Sequence, residues 1–358
     1  MSQDSKPQKY AKYIPPKIEF KGDISIKQEQ TRINFGDKSI GHLIFFKEYF
    51  VLIVDSGIAF FDPKNYEKIF EQKISLDEII SIKKINEDTL VMAAFDKARI
   101  IRFEEKETKN LAYEIIQEIT DTVGYYIGLP LSNDLLLLAG DDKKYICYQV
   151  ENYKTNKIIN KNNLYKKVGE IPDVHSVYSD SFARVIDLNN GYLLSKMIND
   201  NNVKIIQYEG EFKIIKSFDN IGLHDICLIS DKFAVLKGLT YPEYFTWLLD
   251  MEKLEIIKKW QTPGNDFFLY SLGENKFFTG NEDYLFISEI KEKDGDIIMN
   301  EITKTDIKEF AYIDFFQILN ERTFAAITYE KYDYSKGMNY EPNSYLVVYE
   351  CLCEYENN

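Results

Sequence analysis

The chain is poor in the residues from which most catalytic and metal sites are built. It has three histidines, His42, His175 and His224, and no two of them have metal-ligand spacing, so each is read as structural or superficial. Its four cysteines, Cys147, Cys227, Cys351 and Cys353, match neither a zinc pattern nor a disulfide framework. They read as reduced thiols packed in strands, which fits a cytoplasmic protein. No glycine-rich phosphate loop opens a helix, no Gly-x-Ser-x-Gly elbow occurs, and no Asn-x-Ser/Thr sequon is found. The Asp and Asn clusters at Asp141-Asp142, Asn199–Asn202 and Asp294–Asp296 lack the glycine and glutamate of an EF-hand loop and read as hairpin turns. No cofactor or metal is expected.

Other shortages bound the partners. Lys and Arg total 44 against 58 Asp and Glu, a net charge of −14, and the basic residues are scattered among acids. Nucleic-acid binding needs clustered positive charge, so none is expected. The acidic balance favours a basic partner instead. No apolar run reaches the roughly 18 residues of a membrane helix. The first residues, MSQDSKPQKYAKYIPPK, are polar and lack the apolar core of a signal peptide. Only nine prolines and two tryptophans are present.

Tyrosine and phenylalanine are abundant, 26 and 24 in a chain of 358 residues, and they favour strands. The stretch Ile79–Thr120 reads as four short strands in a row. Ile79–Ile85 ends at the turn cluster Asn86-Glu87-Asp88. Leu90–Phe95 follows, then Ala98–Phe103, and after a charged loop Leu111–Ile119. Helix is the weaker reading of Lys64–Lys73 and Leu111–Thr120, because both fall where a fourth strand belongs.

The corner between the first two strands recurs. An apolar residue, a polar turn and a large apolar residue open the second strand at Phe50, Leu90, Leu135, Tyr192, Phe233, Phe277 and Phe324. The spacings are 40, 45, 57, 41, 44 and 47. A period near 45 with four strands per unit is the sequence sign of a β-propeller. Third strands number seven, from Gly57–Phe61 to Ser344–Glu350, but fourth strands only six, from Lys68–Ile74 to Ile297–Ile302. The remaining β-like stretch, Lys17–Lys27, is expected to supply the seventh and close the ring, since an open ring leaves two unpaired edges. The expected organisation is all-β: seven four-stranded antiparallel blades over residues 17–352, with tails at 1–16 and 353–358.

The pattern resembles the WD40-like β-propellers. The Trp-Asp pair that closes the third strand in that family is replaced here by Phe61-Asp62, Tyr208-Glu209 and Leu249-Asp250. The family's Gly-His pair survives as Gly41-His42 and is echoed by Leu223-His224-Asp225. The resemblance implies that the hydrogen-bond network tying these family residues together is missing.

In a propeller, the connections between second and third strands and between successive blades open on one face, here the top. Three of these connections carry aromatics. They are Tyr329–Asn343 with Tyr332, Tyr334 and Tyr340, Lys237–Glu243 with Tyr241 and the adjacent Tyr244, and Pro172–Tyr178 with His175 and Tyr178. Aromatics in loops on a rigid frame suit protein docking. The leading reading is a non-catalytic protein-interaction scaffold, a monomeric propeller within a larger intracellular complex. The alternative is a hydrolase or lyase with its site at the mouth of the central channel. That would need convergent acids or bases where the first strands begin, and those positions are mostly apolar: Ile79, Ile127, Val185, Ile226 and Phe268.

Overall fold

The structure is a computed structural model. It describes residues 23–354 except 37, 39, 56, 75–78, 95–96, 106–110, 121–124, 132–134, 141–144, 151–164, 172–184, 190–191, 198–201, 209–211, 263–267, 281–283, 307–309, 320–322, 331–334 and 336–341.

Short apolar runs separated by turn residues give strands throughout. The first, β1 (Asp23–Gly36), stands apart from the blade that follows it. Blade one is β2 (Ile40–Phe46), β3 (Tyr49–Val54), β4 (Gly57–Phe61) and β5 (Lys68–Lys73). Blade two is β6 (Ile79–Lys84), β7 (Thr89–Ala94), β8 (Ala98–Glu105) and β9 (Leu111–Ile119). Blade three is β10 (Tyr125–Leu131), β11 (Leu135–Gly140), β12 (Tyr145–Val150) and β13 (Tyr165–Ile171). Blade four is β14 (Val185–Asn189), β15 (Tyr192–Met197), β16 (Asn202–Tyr208) and β17 (Phe212–Phe218). Blade five is β18 (Gly222–Leu228), β19 (Phe233–Thr240), β20 (Glu243–Asp250) and β21 (Glu255–Gln261). Blade six is β22 (Phe268–Gly273), β23 (Lys276–Gly280), β24 (Tyr284–Lys293) and β25 (Asp296–Asp306). The chain ends with β26 (Phe310–Ile318), β27 (Thr323–Glu330) and β28 (Ser344–Glu354).

Each blade is a four-stranded antiparallel sheet, and the last is completed by β1 in the order β1-β28-β27-β26. Neighbouring sheets touch in chain order: β2 meets β6, β6 meets β10, β13 meets β17, β14 meets β18, β18 meets β22 and β22 meets β26. β26 also meets β2, so the last sheet packs on the first.

Burial explains why the second strands read as unbroken apolar runs. Each is flanked by two strands and covered by two neighbouring blades, so β3 and β7 are buried along almost their whole length. Outer strands face solvent and read as mixed, as in β5 and β21. The cores lie between blades. Phe46 meets Phe103 edge-on at 5.5 Å between blades one and two. Phe278 lies 4.5 Å from Phe316 between blades six and seven, and Phe316 stacks on Phe324 at 4.5 Å. Between the last blade and the first, Leu346 and Val348 share a core with Leu43, Phe50 and Leu52.

Four expectations need correction. The closing strand expected at Lys17–Lys27 is described from Asp23 and runs on past Lys27 to Gly36, paired from Asp23↔Glu354 to Gly36↔Ser344, while residues 17–22 lie outside the described residues. Its sequence, DISIKQEQTRINFG, is polar because it is an outer edge strand. β28 runs to Glu354, so Cys353 and Glu354 belong to the sheet rather than to a tail. Lys237–Glu243 is not a loop. β19 and β20 pair as far as Thr240↔Glu243, leaving only Tyr241-Pro242 as the turn. Finally, β24 and β25 are longer than expected and pair out to Lys293↔Asp296, where Asp294 and Gly295 turn with positive φ.

Candidate partner-binding face

The first strands of the blades share a local device. Their ladders slip at His42 in β2, Ile80 in β6, Tyr126 in β10 and His224 in β18. Each slip is a β-bulge, which adds a residue to one strand and re-aims its side chains. The Gly41-His42 and Leu223-His224 echoes therefore sit on bulges, with His42 in the left-handed region at φ 46°. The acids that follow the third strands cap turns. Asp62 Oδ1 accepts the Lys64 amide at 2.7 Å, and Asp250 Oδ1 accepts the amides of Glu252 and Lys253 at 3.0 Å.

At His224 the bulge brings a ring to the top of blade five. His224 meets Tyr244 edge-on at 5.9 Å, so Tyr244 is half-buried at the start of β20. Tyr241 differs sharply. It occupies the tip of the β19–β20 hairpin and is 89% exposed. The hairpin is braced from the side, where the Thr240 hydroxyl donates to the Asn220 carbonyl at 2.9 Å. Asp219 and Glu243 nearby are exposed acids. Of the residues singled out in the sequence, Tyr241 and Tyr244 are thus brought together on one hairpin. His175, Tyr178, Tyr332, Tyr334 and Tyr340 lie outside the described residues. The stem of the loop that holds the last three is described. Glu330 Oε2 accepts from Asn343 Nδ2 at 2.7 Å, and the Glu330 amide donates to the Asn343 carbonyl at 2.8 Å.

Sequence reasoning missed a buried polar row beneath Tyr241. Asp225 and Lys237 are cross-strand partners in β18 and β19, and they are 2% and 3% exposed. Both Asp225 oxygens accept backbone amides, Oδ1 from Ile226 at 2.6 Å and Oδ2 from Leu269 of the next blade. Lys237 Nζ donates to Thr279 Oγ1 of β23 at 2.7 Å. Burial pushes the Lys237 ammonium down from 10.5 to about 7, against the opposing pull of Asp225 and, less, of Cys227. One sequence signal pointed here: Lys237 is a lone charge in an otherwise apolar second strand, FAVLKGLT.

The channel-mouth positions are apolar where they are described. Ile79, Ile226 and Phe268 are buried, and the side chains of Ile127 and Val185 lie outside the described residues. Among the described residues no three of His, Cys, Asp and Glu gather as a metal-binding group. No described helix is long and apolar enough to cross a membrane.

No family model matches the sequence, and no curated protein matches it either. Solved structures do. U3-55K is 12% identical with a TM-score of 0.59, over 92% of this chain and 98% of that one. A chain of the mitotic checkpoint complex is 10% identical with a TM-score of 0.57, over 98% of each. The Pan2 WD40 domain of Neurospora crassa is 9% identical with a TM-score of 0.56, over 92% and 95%. At such identity the likeness speaks for the fold alone, and with the sheet order above it gives this chain a β-propeller fold similar to that of WD40 domains.

Proposed function

We propose that this chain is a non-catalytic protein-interaction scaffold whose top face docks a basic segment of a protein partner, the propeller being one subunit of a hetero-complex. The observation that carries this reading is Tyr241, a tyrosine 89% exposed at the tip of a two-residue turn. A large ring held out on a rigid hairpin has already lost most of its backbone freedom, so its burial by a partner costs little further ordering. Such anchors carry most of the energy at interfaces. Asp219 and Glu243 beside it, within a chain of net charge −14, select Lys and Arg. Tyr244 supports the tip, and the reading takes His175, Tyr178, Tyr332, Tyr334 and Tyr340 as further contacts of the partner. Structural neighbours such as the chain of the mitotic checkpoint complex come from protein assemblies, which supports the same reading.

The test is quantitative affinity purification of wild type and Tyr241→Ser from the protein's own cells, followed by titration with the partner so identified. Removal of one anchor is expected to weaken binding about 30-fold, the equivalent of roughly 2 kcal/mol. The melting temperature should be unchanged, because the ring is exposed. Affinity should fall with added salt. Equal affinity for the two proteins would overturn the proposal.

A further inference from the structure

The outer strands form the wall of the ring, and β17 of blade four differs from the rest. Its sequence, FKIIKSF, holds two lysines and no acid, whereas each of the other six outer strands holds at least one Asp or Glu. It also leaves apolar area in water. Ile214 and Ile215 are 57% and 45% exposed, and after Tyr241 they are the most exposed large apolar residues among those described. A bulge sets them in succession: Ile206 pairs with Ile214 and Ile205 with Lys216, so Ile215 is the extra residue. Val203 and Ile205 pack in the core shared with blade five. Their partners Phe218 and Lys216 lie on that side, where Lys216 Nζ meets Glu255 of β21 at 3.1 Å. Lys204 and Ile206 alternate to the other side, towards blade three, and so do their partners Ser217 and Ile214. There β17 meets β13, whose sequence YKKVGEI adds two lysines against one glutamate.

We propose that the wall at β17 is a second docking site, for a short acidic segment of a protein partner whose apolar residues cover Ile214 and Ile215 and whose carboxylates meet Lys213 and Lys216. Covering two exposed isoleucines supplies the apolar contact. Lys213 is exposed beside them, and opposite charge across the contact selects the segment. Lys216 already has Glu255, but an exposed ion pair contributes little, so a partner carboxylate shares it or takes its place. The free edge of a strand invites ladder pairing, but the bulge interrupts this one, so recognition rests on side chains. Asp219 follows the strand and Glu209 and Glu211 precede it, which limits the basic stretch to one strand and the occupant to a similar length.

Charge also argues against the other occupants. A second copy brings a net charge of −14 against the same charge, and two β17 walls face to face set lysine against lysine. Residues 151–164 hold three lysines and one glutamate, and residues 1–22 hold five lysines and two acids, so neither segment complements the wall. The site is separate from Tyr241 and opposite to it in sign. A scaffold with an acidic hairpin tip on its top and a basic strand on its wall holds two unlike segments at once.

The test places a photo-reactive benzophenone amino acid at position 214 of the full chain in the protein's own cells, with position 69 of β5, another exposed isoleucine, as the control. The cross-linked peptide is sequenced, synthesised and titrated into the purified chain. The expected capture, at 214 and not at 69, is an acidic segment with apolar residues among its acids. Ile214→Ser combined with Ile215→Ser should weaken its binding about tenfold or more, with the melting temperature unchanged because both side chains are exposed. Lys213→Glu should weaken it too, more at low salt than at high salt. A basic segment, a peptide of this chain, equal capture at both positions or no capture would each overturn the proposal, as would equal affinity for the double variant and wild type. Should the double variant fail to fold, Lys213→Glu decides, and an unchanged affinity there overturns the proposal. Tyr241→Ser should leave the cross-link at 214 intact, so failure of one site is told apart from failure of the other.

Discussion

Removal of residues 1–36 is expected to leave a chain that aggregates or melts more than about 10 °C below the full protein. This deletion takes away all of β1, the outer strand of the seventh sheet. β1 is matched to β28 by 11 register pairs. Each ladder hydrogen bond is worth about 0.5–1.5 kcal/mol net, so the pairing contributes on the order of 10 kcal/mol before entropy is counted. That is comparable with the whole stability of an ordinary domain, about 5–15 kcal/mol. Ile33 and Phe35 also leave the core that joins the last blade to the first, and the Arg32 guanidinium leaves its place 5.6 Å from the Tyr345 ring. The core of Leu346 and Val348 on Leu43, Phe50 and Leu52 survives the cut, with two hydrogen bonds, Tyr329 O–H to the Ile40 carbonyl at 2.8 Å and Ser344 O–H to the Lys38 carbonyl at 2.7 Å. Hydrogen bonds at about 1 kcal/mol each, and a core that has lost Ile33 and Phe35, do not replace a strand. A synthetic peptide of residues 23–36 added to the truncated chain should restore part of the loss, since β28 then regains its partner. A truncated chain that melts like the full one would show that closure rests elsewhere.

The same strand shows where the sequence could be read and where it could not. The repeating corners at Phe50, Leu90, Leu135, Tyr192, Phe233, Phe277 and Phe324 were legible because second strands lie between two others and between two blades. Such positions demand uninterrupted apolar residues, and tight turns demand Asn, Asp, Ser or Gly. β1 has one partner strand, so its residues carry little hydrophobic signal and its extent to Gly36 was hidden. The β19–β20 hairpin was hidden for a different reason. Lys237, Gly238, Pro242 and Glu243 are all loop-like in isolation, yet Lys237 and Gly238 lie inside a ladder because a partner blade supplies Thr279 and a neighbouring strand leaves room only for glycine. Tertiary contacts decided both positions, and periodicity does not encode those contacts. The exposure of Tyr241 could be guessed from its turn, but the burial of Tyr244 against His224 depends on a bulge in another strand.

Gly238→Ala should be among the most damaging single substitutions in the chain, although general strand preference points the other way. In an ordinary strand interior alanine is favoured over glycine by about 0.5–1 kcal/mol. Here a Cβ at 238 would stand 2.3 Å from the Gly222 carbonyl oxygen, 2.9 Å from the Gly222 carbonyl carbon and 3.0 Å from the Leu223 Cα. All three are backbone atoms, so no rotamer change can relieve the overlap. β18 and β19 must move apart by roughly 1 Å, the gap between 2.3 Å and ordinary contact. Overpacking that side chains can absorb costs about 1–3 kcal/mol, and a displaced backbone costs more. The displacement falls at Leu223↔Gly238, one step from the pair Asp225↔Lys237. It therefore also lengthens the hydrogen bonds that tie blade five to Leu269 and Thr279. The expected result is a loss of at least about 3 kcal/mol by denaturant unfolding, with hydrogen-exchange protection of 236–245 lost first. Gly273→Ala is the control. Gly273 has φ +78° and open space around it, so that variant carries only the left-handed backbone penalty of about 1 kcal/mol. Equal losses for the two variants would mean that backbone conformation, rather than the close approach of β18 and β19, explains the glycine at 238.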